Sequence, residues 1–282
     1  PWGIMNLPPV TASVADGEPG AAFERALQDT CGDWLAATPG LPLLACGMVG
    51  SAQGWREAKY LPTPTSLDAL ARGLTLVERR DGPPLHIVPG LLQQGALPNV
   101  MRGEETQVLG VLAGLALPAD APVLIGLPGT HSKWVQVQGG RVTQFQTFMT
   151  GEVFALMSQH SILGKTMDLQ GAFDEAVFLQ GVDTIQQTQQ SGSVLHHLFA
   201  VRTLGLFERL SAAQLPSYLS GLLIGEELRH QTAAAHTEPV ILIGSEALTL
   251  RYTLALQHLR IPCQSRGSEA TWAGLFALAS AC

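Results

Sequence analysis

PVLIGLPGTHSKWVQVQGGRVTQFQTF, residues 122–148, carries the pattern that decides the fold of this 282-residue chain. Three strand-like runs, Pro122 to Leu127, Lys133 to Gln138 and Arg141 to Phe148, are joined by Pro128-Gly129-Thr130 and by Gly139-Gly140. A Gly-Gly pair accepts positive φ at both positions without a Cβ penalty, so it suits a two-residue hairpin turn. The stretch predicts an antiparallel three-strand meander that opens a second domain.

Upstream of it, Leu41 to Met48 and Leu85 to Val88 read as buried strands, the first running into Gly-rich sequence and the second stopping at Pro89-Gly90. Between them, Ser66 to Arg80 carries Leu67, Leu70, Leu74 and Val77 at helical spacing, with Thr65 and Asp68 placed as a capping box. A βαβ unit is the economical reading. Another helix is expected from Glu104 through Val108, Leu109, Leu112 and Leu115 until Pro118 stops it. Downstream, helical patterns cover Val153 to His160, Val194 to Leu210 and Ala212 to Ala234. A strand at Val240 to Ile243, a helix from Glu246 to Leu259, a strand at Ile261 to Gln264 and a helix from Glu269 to Ser280 close the chain. The class is α/β, with an N-terminal lobe over 1–118, a C-terminal lobe over 119–282, and the last helix returning to the first lobe.

Composition bounds the function. With 46% hydrophobic residues the chain can fill two modest cores, and 14% charged residues with 30 Gly and 18 Pro describe many short turns between buried elements. A net charge of -7 and singly scattered Lys and Arg argue against nucleic-acid binding. Cys31, Cys46, Cys263 and Cys282 show no C-x-x-C spacing, which points to neither a zinc knuckle nor a disulfide framework and fits a reducing cytoplasm. No apolar run reaches the roughly 18 residues of a membrane span, so no membrane partner is expected.

Four segments could carry chemistry, and each has a bland alternative. Gly129, Thr130, His131, Ser132 and Lys133 put a glycine, hydroxyls and a cation in one turn, a plausible cradle for phosphate oxygens or an ordinary hairpin. Arg102-Gly-Glu-Glu105 places two carboxylates at a helix start. There they complement the helix dipole, worth about 0.3 to 1 kcal/mol, or act as a general base beside an anion-handling loop. Gly47, Met48, Gly50, Ser51 and Trp55 lie in a Gly-rich loop after a strand, where backbone can approach a small ligand or simply turn. Gly244 and Ser245 form a strand-to-helix turn suited to a nucleotide's phosphate or ribose, though any α/β protein has such turns. Gly164-Lys-Thr166 lacks the leading glycine of a P-loop, and His196-His197 side chains would diverge by about 100° on a helix. No metal-ligand set is therefore assigned.

Taken together, ACGMVGS (45–51), NVMRGEETQ (99–107), LPGTHSKW (127–134), TFMTGE (147–152) and LSGLLIG (219–225) resemble the 2-keto-3-deoxygalactonate kinase family along almost the whole chain. The resemblance implies a two-lobed actin-like ATPase (ribonuclease H-like) fold with ATP in the cleft between lobes. It also implies Mg²⁺ and phosphorylation of the 6-hydroxyl of 2-dehydro-3-deoxy-D-galactonate. It makes the Gly129 to Lys133 turn the second phosphate loop and puts Gly244 and Ser245 at the adenosine side. It makes Glu104 or Glu105 the base, and gives the sugar acid Arg102, the Gly47 to Trp55 loop, Thr150 and Glu152. The superfamily's first hairpin, with its Asp-x-Gly loop, has no counterpart from Pro1 to Asn6, so the first lobe is expected to lack it in this chain. A phosphohydrolase of the same fold and a noncatalytic sugar-acid or nucleotide sensor are the alternatives, and a homo-oligomer is compatible with either.

Overall fold

The computed structural model describes residues 20–80, 82–115, 121–187, 193–232 and 239–281. Elements run in the order α1 (Ala21–Ala37), β1 (Leu43–Ala45), β2 (Tyr60–Pro62), β3 (Thr65–Ser66), α2 (Leu67–Arg72), β4 (Thr75–Val77), β5 (Leu85–Ile87), β6 (Gly90–Gln93), β7 (Asn99–Met101) and α3 (Glu104–Gly114). They continue with β8 (Val123–Leu127), β9 (Ser132–Gln138), β10 (Arg141–Phe148), α4 (Thr150–His160), α5 (Glu175–Gln187), α6 (Val194–Leu206) and α7 (Leu215–Thr232). The last are β11 (Val240–Ile243), α8 (Glu246–His258), β12 (Cys263–Arg266) and α9 (Glu269–Ser280). Two compact units result, one of Pro1–Ala121, Val137–Phe145 and Ser268–Cys282, the other of Pro122–Gln136 and Gln146–Gly267.

In the first unit β1 and β5 pair in parallel, the expected βαβ relation, and β4 lies antiparallel to β5. A second small sheet has the order β2-β6-β7. The helix expected over Ser66 to Arg80 stops at Arg72. Gly73 caps it, and Thr75–Val77 turns into a strand whose register on β5 buries Val77. The capping box is also displaced by one residue. Ser66 accepts the Ala69 N–H at 3.4 Å, while Thr65 donates to Pro62 O and pairs with Val142 of β10. α3 packs on α9 at backbone distance: a Cβ on Gly110 would sit 1.9 Å from Ala270 O, and one on Gly274 1.9 Å from Thr106 O.

The second unit holds the meander except for its hairpin tip, Val137–Phe145, which groups with the first. Gly139 and Gly140, at φ 57 and 67, make the two-residue turn between β9 and β10. Four residues join β8 to its sheet neighbour β9, too few for a parallel crossover, so these strands are antiparallel as well. β11 then adds in parallel to β8, and β12 in parallel to β11, giving the strand order β12-β11-β8-β9-β10, with β3 as the sixth strand beyond β10. β8 and β11 are buried along their whole length, as continuous apolar runs in parallel strands should be. Leu124, Trp134, Phe178, Val182, Ile224, Leu228, Leu242 and Tyr252 close one core of this unit. α5 and α7 meet through Gly181 and Gly221, and a Cβ on Gly221 would lie 2.0 Å from Phe178 O.

Some expectations shift. The strand at Leu41 to Met48 ends at Ala45, and Gly47–Gly50 forms a 3₁₀ turn. The last strand falls on Cys263–Arg266 rather than Ile261 to Gln264, and the helix expected to end at Leu210 ends at Leu206. The helix expected to run to Ala234 is described through Thr232, and its expected end lies outside the described residues. The expectations for Pro1 to Asn6 and for Pro118 lie outside the described residues. The glycine contacts give a paired test. Gly221→Ala should destabilise the protein by about 1–3 kcal/mol because backbone cannot yield to the new methyl. Gly114→Ala, with nothing within 4 Å of its Cβ position, should stabilise by about 0.4–1 kcal/mol. Urea unfolding of both variants checks this, and equal midpoints would contradict the close backbone packing.

Candidate functional site

In the first unit chemistry collects around the start of α3. Gly103, at φ 108, lets the chain turn from β7 into the helix, and a Cβ there would lie 3.1 Å from the Cα of Gly47, itself at φ 83. Two glycine turns thus touch. The Arg102 N–H donates to Glu104 Oε2 at 3.0 Å, and the Gly103 N–H donates to Glu105 Oε2 at 2.7 Å. The Thr106 hydroxyl donates to Glu105 Oε1 at 3.0 Å. Glu105 is fully buried, and that burial pushes its carboxyl up to about 7. Glu104 is only half-buried. Burial, with Glu105 as a further cause, pushes the Cys46 thiol up to about 11, so it stays neutral.

Arg102 is held from two sides. Its Nη2 donates to Ala58 O at 2.8 Å, and its guanidinium lies 4.2 Å from the centre of the Tyr60 ring. Arg102 Nε and Nη1 and the Ser51 Oγ are buried without a hydrogen-bond partner among the described residues. Gly50, next to Ser51 in the chain, packs against Arg102, its Cβ position 3.0 Å from Arg102 Nη1. Trp55 stacks on Phe23 of α1 at 5.9 Å between ring centroids, so one face of its ring is already covered.

In the second unit the predicted phosphate turn lies at the carboxyl end of β8, and Gly244 and Ser245 lie at the carboxyl end of β11. The parallel pairing brings them together, and a Cβ on Gly244 would lie 3.5 Å from Pro128 O. Thr150 and Glu152 also belong here. The Glu152 N–H donates to Thr130 O at 3.0 Å, its carboxylate meets His131 Nε2, and Gly151 packs on Gly129 so closely that a Cβ would lie 2.5 Å from its oxygen. Ser132 and Lys133 point inward, with exposures of 1% and 5%, and the Lys133 ammonium donates to His131 O.

Behind the turn lies a carboxylate absent from the sequence-derived set. Glu227 of α7, 1% exposed, accepts from Trp134 Nε1 at 2.6 Å, from Tyr252 Oη at 2.8 Å and from Thr150 Oγ1. Burial raises its pKa, and burial likewise holds the Tyr252 phenol well above its usual range. Ser132 Oγ lies 3.1 Å from Tyr252 Oη. Thr150, Tyr252, Gly129, Ser220 and Arg251 line a small cavity of about 60 Å³ with several apolar side chains.

The profile of the 2-keto-3-deoxy-galactonokinase family matches residues 1–278. The chain belongs to this family. It is 38% identical over 253 residues to a Rhizobium meliloti (strain 1021) protein named "Probable 2-dehydro-3-deoxygalactonokinase DgoK1", covering 88% of this chain and 80% of that one. It is 35% identical over 243 residues to the 2-dehydro-3-deoxygalactonokinase of Escherichia coli (strain K12), covering 85% and 79%. A crystal structure from Sinorhizobium meliloti, solved as a candidate 2-dehydro-3-deoxygalactonokinase, superposes with a TM-score of 0.82 at 36% identity over 91% of this chain and 85% of that one.

Within this 2-keto-3-deoxy-galactonokinase family chain, the structure brings together 47–51 with 102–105 in one unit, and 129–133 with 150–152 and 244–245 in the other. Glu227 and Tyr252 escaped the sequence reading. The readable signal was Glu226-Glu227 inside the otherwise apolar run of α7, just after the string LSGLLIG. Glu105 supplies a pH test. The folded protein keeps its proton up to about pH 7, whereas the ordinary carboxyl loses it near 4.5. Its contribution to stability is therefore full below about 4.5 and is lost as pH rises through about 7. Wild type should lose on the order of 3 kcal/mol between pH 4.5 and 8 relative to Glu105→Gln, which cannot titrate. Denaturant melts at both pH values measure it, and parallel pH curves for the two proteins would refute the assignment.

Proposed function

We propose that this chain is an ATP-dependent kinase that phosphorylates the 6-hydroxyl of 2-dehydro-3-deoxy-D-galactonate. The observation that carries the assignment of residues is the set of buried donors near the acidic turn, Ser51 Oγ with Arg102 Nε and Nη1, that have no hydrogen-bond partner among the described residues. A buried donor left unmade costs roughly 1–3 kcal/mol, and the carboxylate and hydroxyls of a sugar acid are the acceptors that would satisfy them. Gly47, Met48 and Gly50 give backbone access to the same place. The names carried by relatives along the whole chain support the reaction itself.

Glu104 is the base in this reading. Half-buried and fixed by the Arg102 N–H, its carboxylate is placed to take the proton of a sugar hydroxyl as that oxygen attacks phosphorus. Glu105 is too deeply buried to touch a substrate, and it braces the Gly103 turn instead. The nucleotide belongs to the second unit, with its phosphates against the backbone N–H groups of Gly129 to His131 and the Thr130 hydroxyl, and with Gly244 and Ser245 alongside. Ser132 and Lys133 support the turn from inside. Thr150 and Glu152, through their contacts with Thr130, His131 and Glu227, fit the nucleotide better than the sugar acid.

Among the described residues no three His, Cys, Asp or Glu cluster as a metal site. Glu152, beside Thr130 and His131, is the carboxylate that would reach a Mg²⁺ ion held mainly by phosphate oxygens and water; bound there, Mg²⁺ would supply charge neutralisation. The strand order β12-β11-β8-β9-β10 and its mixture of directions support an actin-like, ribonuclease H-like plan for the second unit. Unpaired thiols at Cys31, Cys46 and Cys263 support a cytoplasmic location, and no described helix is long and apolar enough to cross a membrane.

The assay is ADP release with and without 2-keto-3-deoxygalactonate. Turnover should require the sugar acid, and Glu104→Gln should lower kcat by about 10²–10⁴-fold while ATP affinity changes less than about twofold. Sugar-independent ADP release, or a Glu104→Gln enzyme at full speed, would overturn the respective part of the proposal.

A further inference from the structure

With the Glu227 carboxylate as acceptor, the direction of the hydrogen bonds around it follows from the chemistry of its neighbours. The Trp134 indole N–H can only donate, so it occupies Oε1 at 2.6 Å. The hydroxyls of Thr150 and Tyr252 both point at Oε2. Once the Tyr252 proton is committed to Glu227, Ser132 Oγ must supply the proton for the 3.1 Å bond to Tyr252 Oη. A relay of fixed polarity results: Ser132 donates to Tyr252, Tyr252 and Thr150 donate to Glu227, and Trp134 donates to the other oxygen.

The four partners sit on the parts that shape the phosphate turn. Ser132 and Trp134 are the first and third residues of β9, leading straight out of the turn. Thr150 begins α4, whose next two residues contact Gly129 and Thr130. Tyr252 belongs to α8, which follows Gly244 and Ser245. One carboxylate of α7 therefore ties together the exits of β8, β10 and β11. Burying a carboxylate is costly unless its acceptor sites are filled, and here three donors fill them.

We infer that Glu227 is a positioning residue for nucleotide binding, holding the Gly129 to Lys133 turn in its phosphate-accepting form through Thr150, Tyr252 and Ser132. It makes no contact with the nucleotide itself. The inference rests on the second unit being the nucleotide site. Removing the carboxylate should loosen the turn while leaving the first unit's sugar-acid residues as they are. Replacing it by a carboxamide keeps the volume but presents an N–H₂ where two hydroxyl protons, or the indole proton, now point.

The test is ADP titration by calorimetry, together with Michaelis constants for both substrates, on full-length Glu227→Gln, Tyr252→Phe and Ile185→Ala. Ile185 is a fully buried core residue of α5 outside the relay, and its truncation controls for lost stability alone. Expected are a tenfold or greater rise in the ADP Kd and the ATP KM for Glu227→Gln, and a smaller rise for Tyr252→Phe. The sugar-acid KM should stay within twofold, and the ADP Kd of Ile185→Ala should also stay within twofold. Tyr252→Phe keeps the question open to refutation should Glu227→Gln not fold, because it removes one hydroxyl and leaves the core shape. Unchanged ADP affinity in the variants that fold, or an equal loss in Ile185→Ala, overturns the inference. Sugar-dependent ADP release by wild type tests the reaction separately, so a failure of one does not pass for a failure of the other.

Discussion

When β8 and β11 pair in parallel, with Ile125 opposite Ile241 and Gly126 opposite Leu242, the chain has to leave both strands at the same edge of the sheet. Everything chemical in the second unit follows from that constraint. The exit of β8 is the Gly129 turn, the exit of β11 is Gly244 and Ser245, and both lie at strand ends of the kind where open α/β sheets take up small ligands. Gly126 contributes from within the strand. A Cβ there would lie 3.1 Å from the Trp134 ring, so its absence makes room for the indole that reaches Glu227.

Close backbone contact serves two purposes in this molecule. Along α3 with α9, and α5 with α7, helices approach through Gly110, Gly274, Gly181 and Gly221 until carbonyl oxygens fill the space a methyl would need. At Gly47 and Gly103 the same lack of a Cβ lets two loops touch beneath Glu104 and Glu105. The first use is packing, and it tolerates no side chain. The second sets the direction in which α3 starts, and with it which carboxylate stays half-buried and which is buried outright.

The meander, β11, α8, α9 and α3 were legible because each announces itself locally: Gly139-Gly140 as a hairpin turn, VILI as a buried strand, Glu104 with Glu105 as a helix start. The α2 to β4 segment was not, because Leu70, Leu74 and Val77 satisfy helical spacing even though Gly73 breaks the helix and the partner strand β5 claims Thr75–Val77. The sheet of β2, β6 and β7 uses strands of three or four residues, too short for any period to show. At the site, grouping by sequence proximity found the turns but not their supports. Glu227 is 93 positions from Trp134, and only the fold brings the two together. Which of the two neighbouring carboxylates is accessible is likewise a property of burial that no spacing encodes.

The hairpin tip Val137–Phe145 and the helix α9 both group with the first unit, although each is reached only by passing through the second. The polypeptide thus changes unit at 121/122, 136/137, 145/146 and 267/268. No single cut yields two complete folding pieces: a fragment ending near 121 would leave Gly110 facing water instead of Ala270, and β3 without Val142. During synthesis, then, the first unit has to wait for the ribosome to release α9 before its own interior can close.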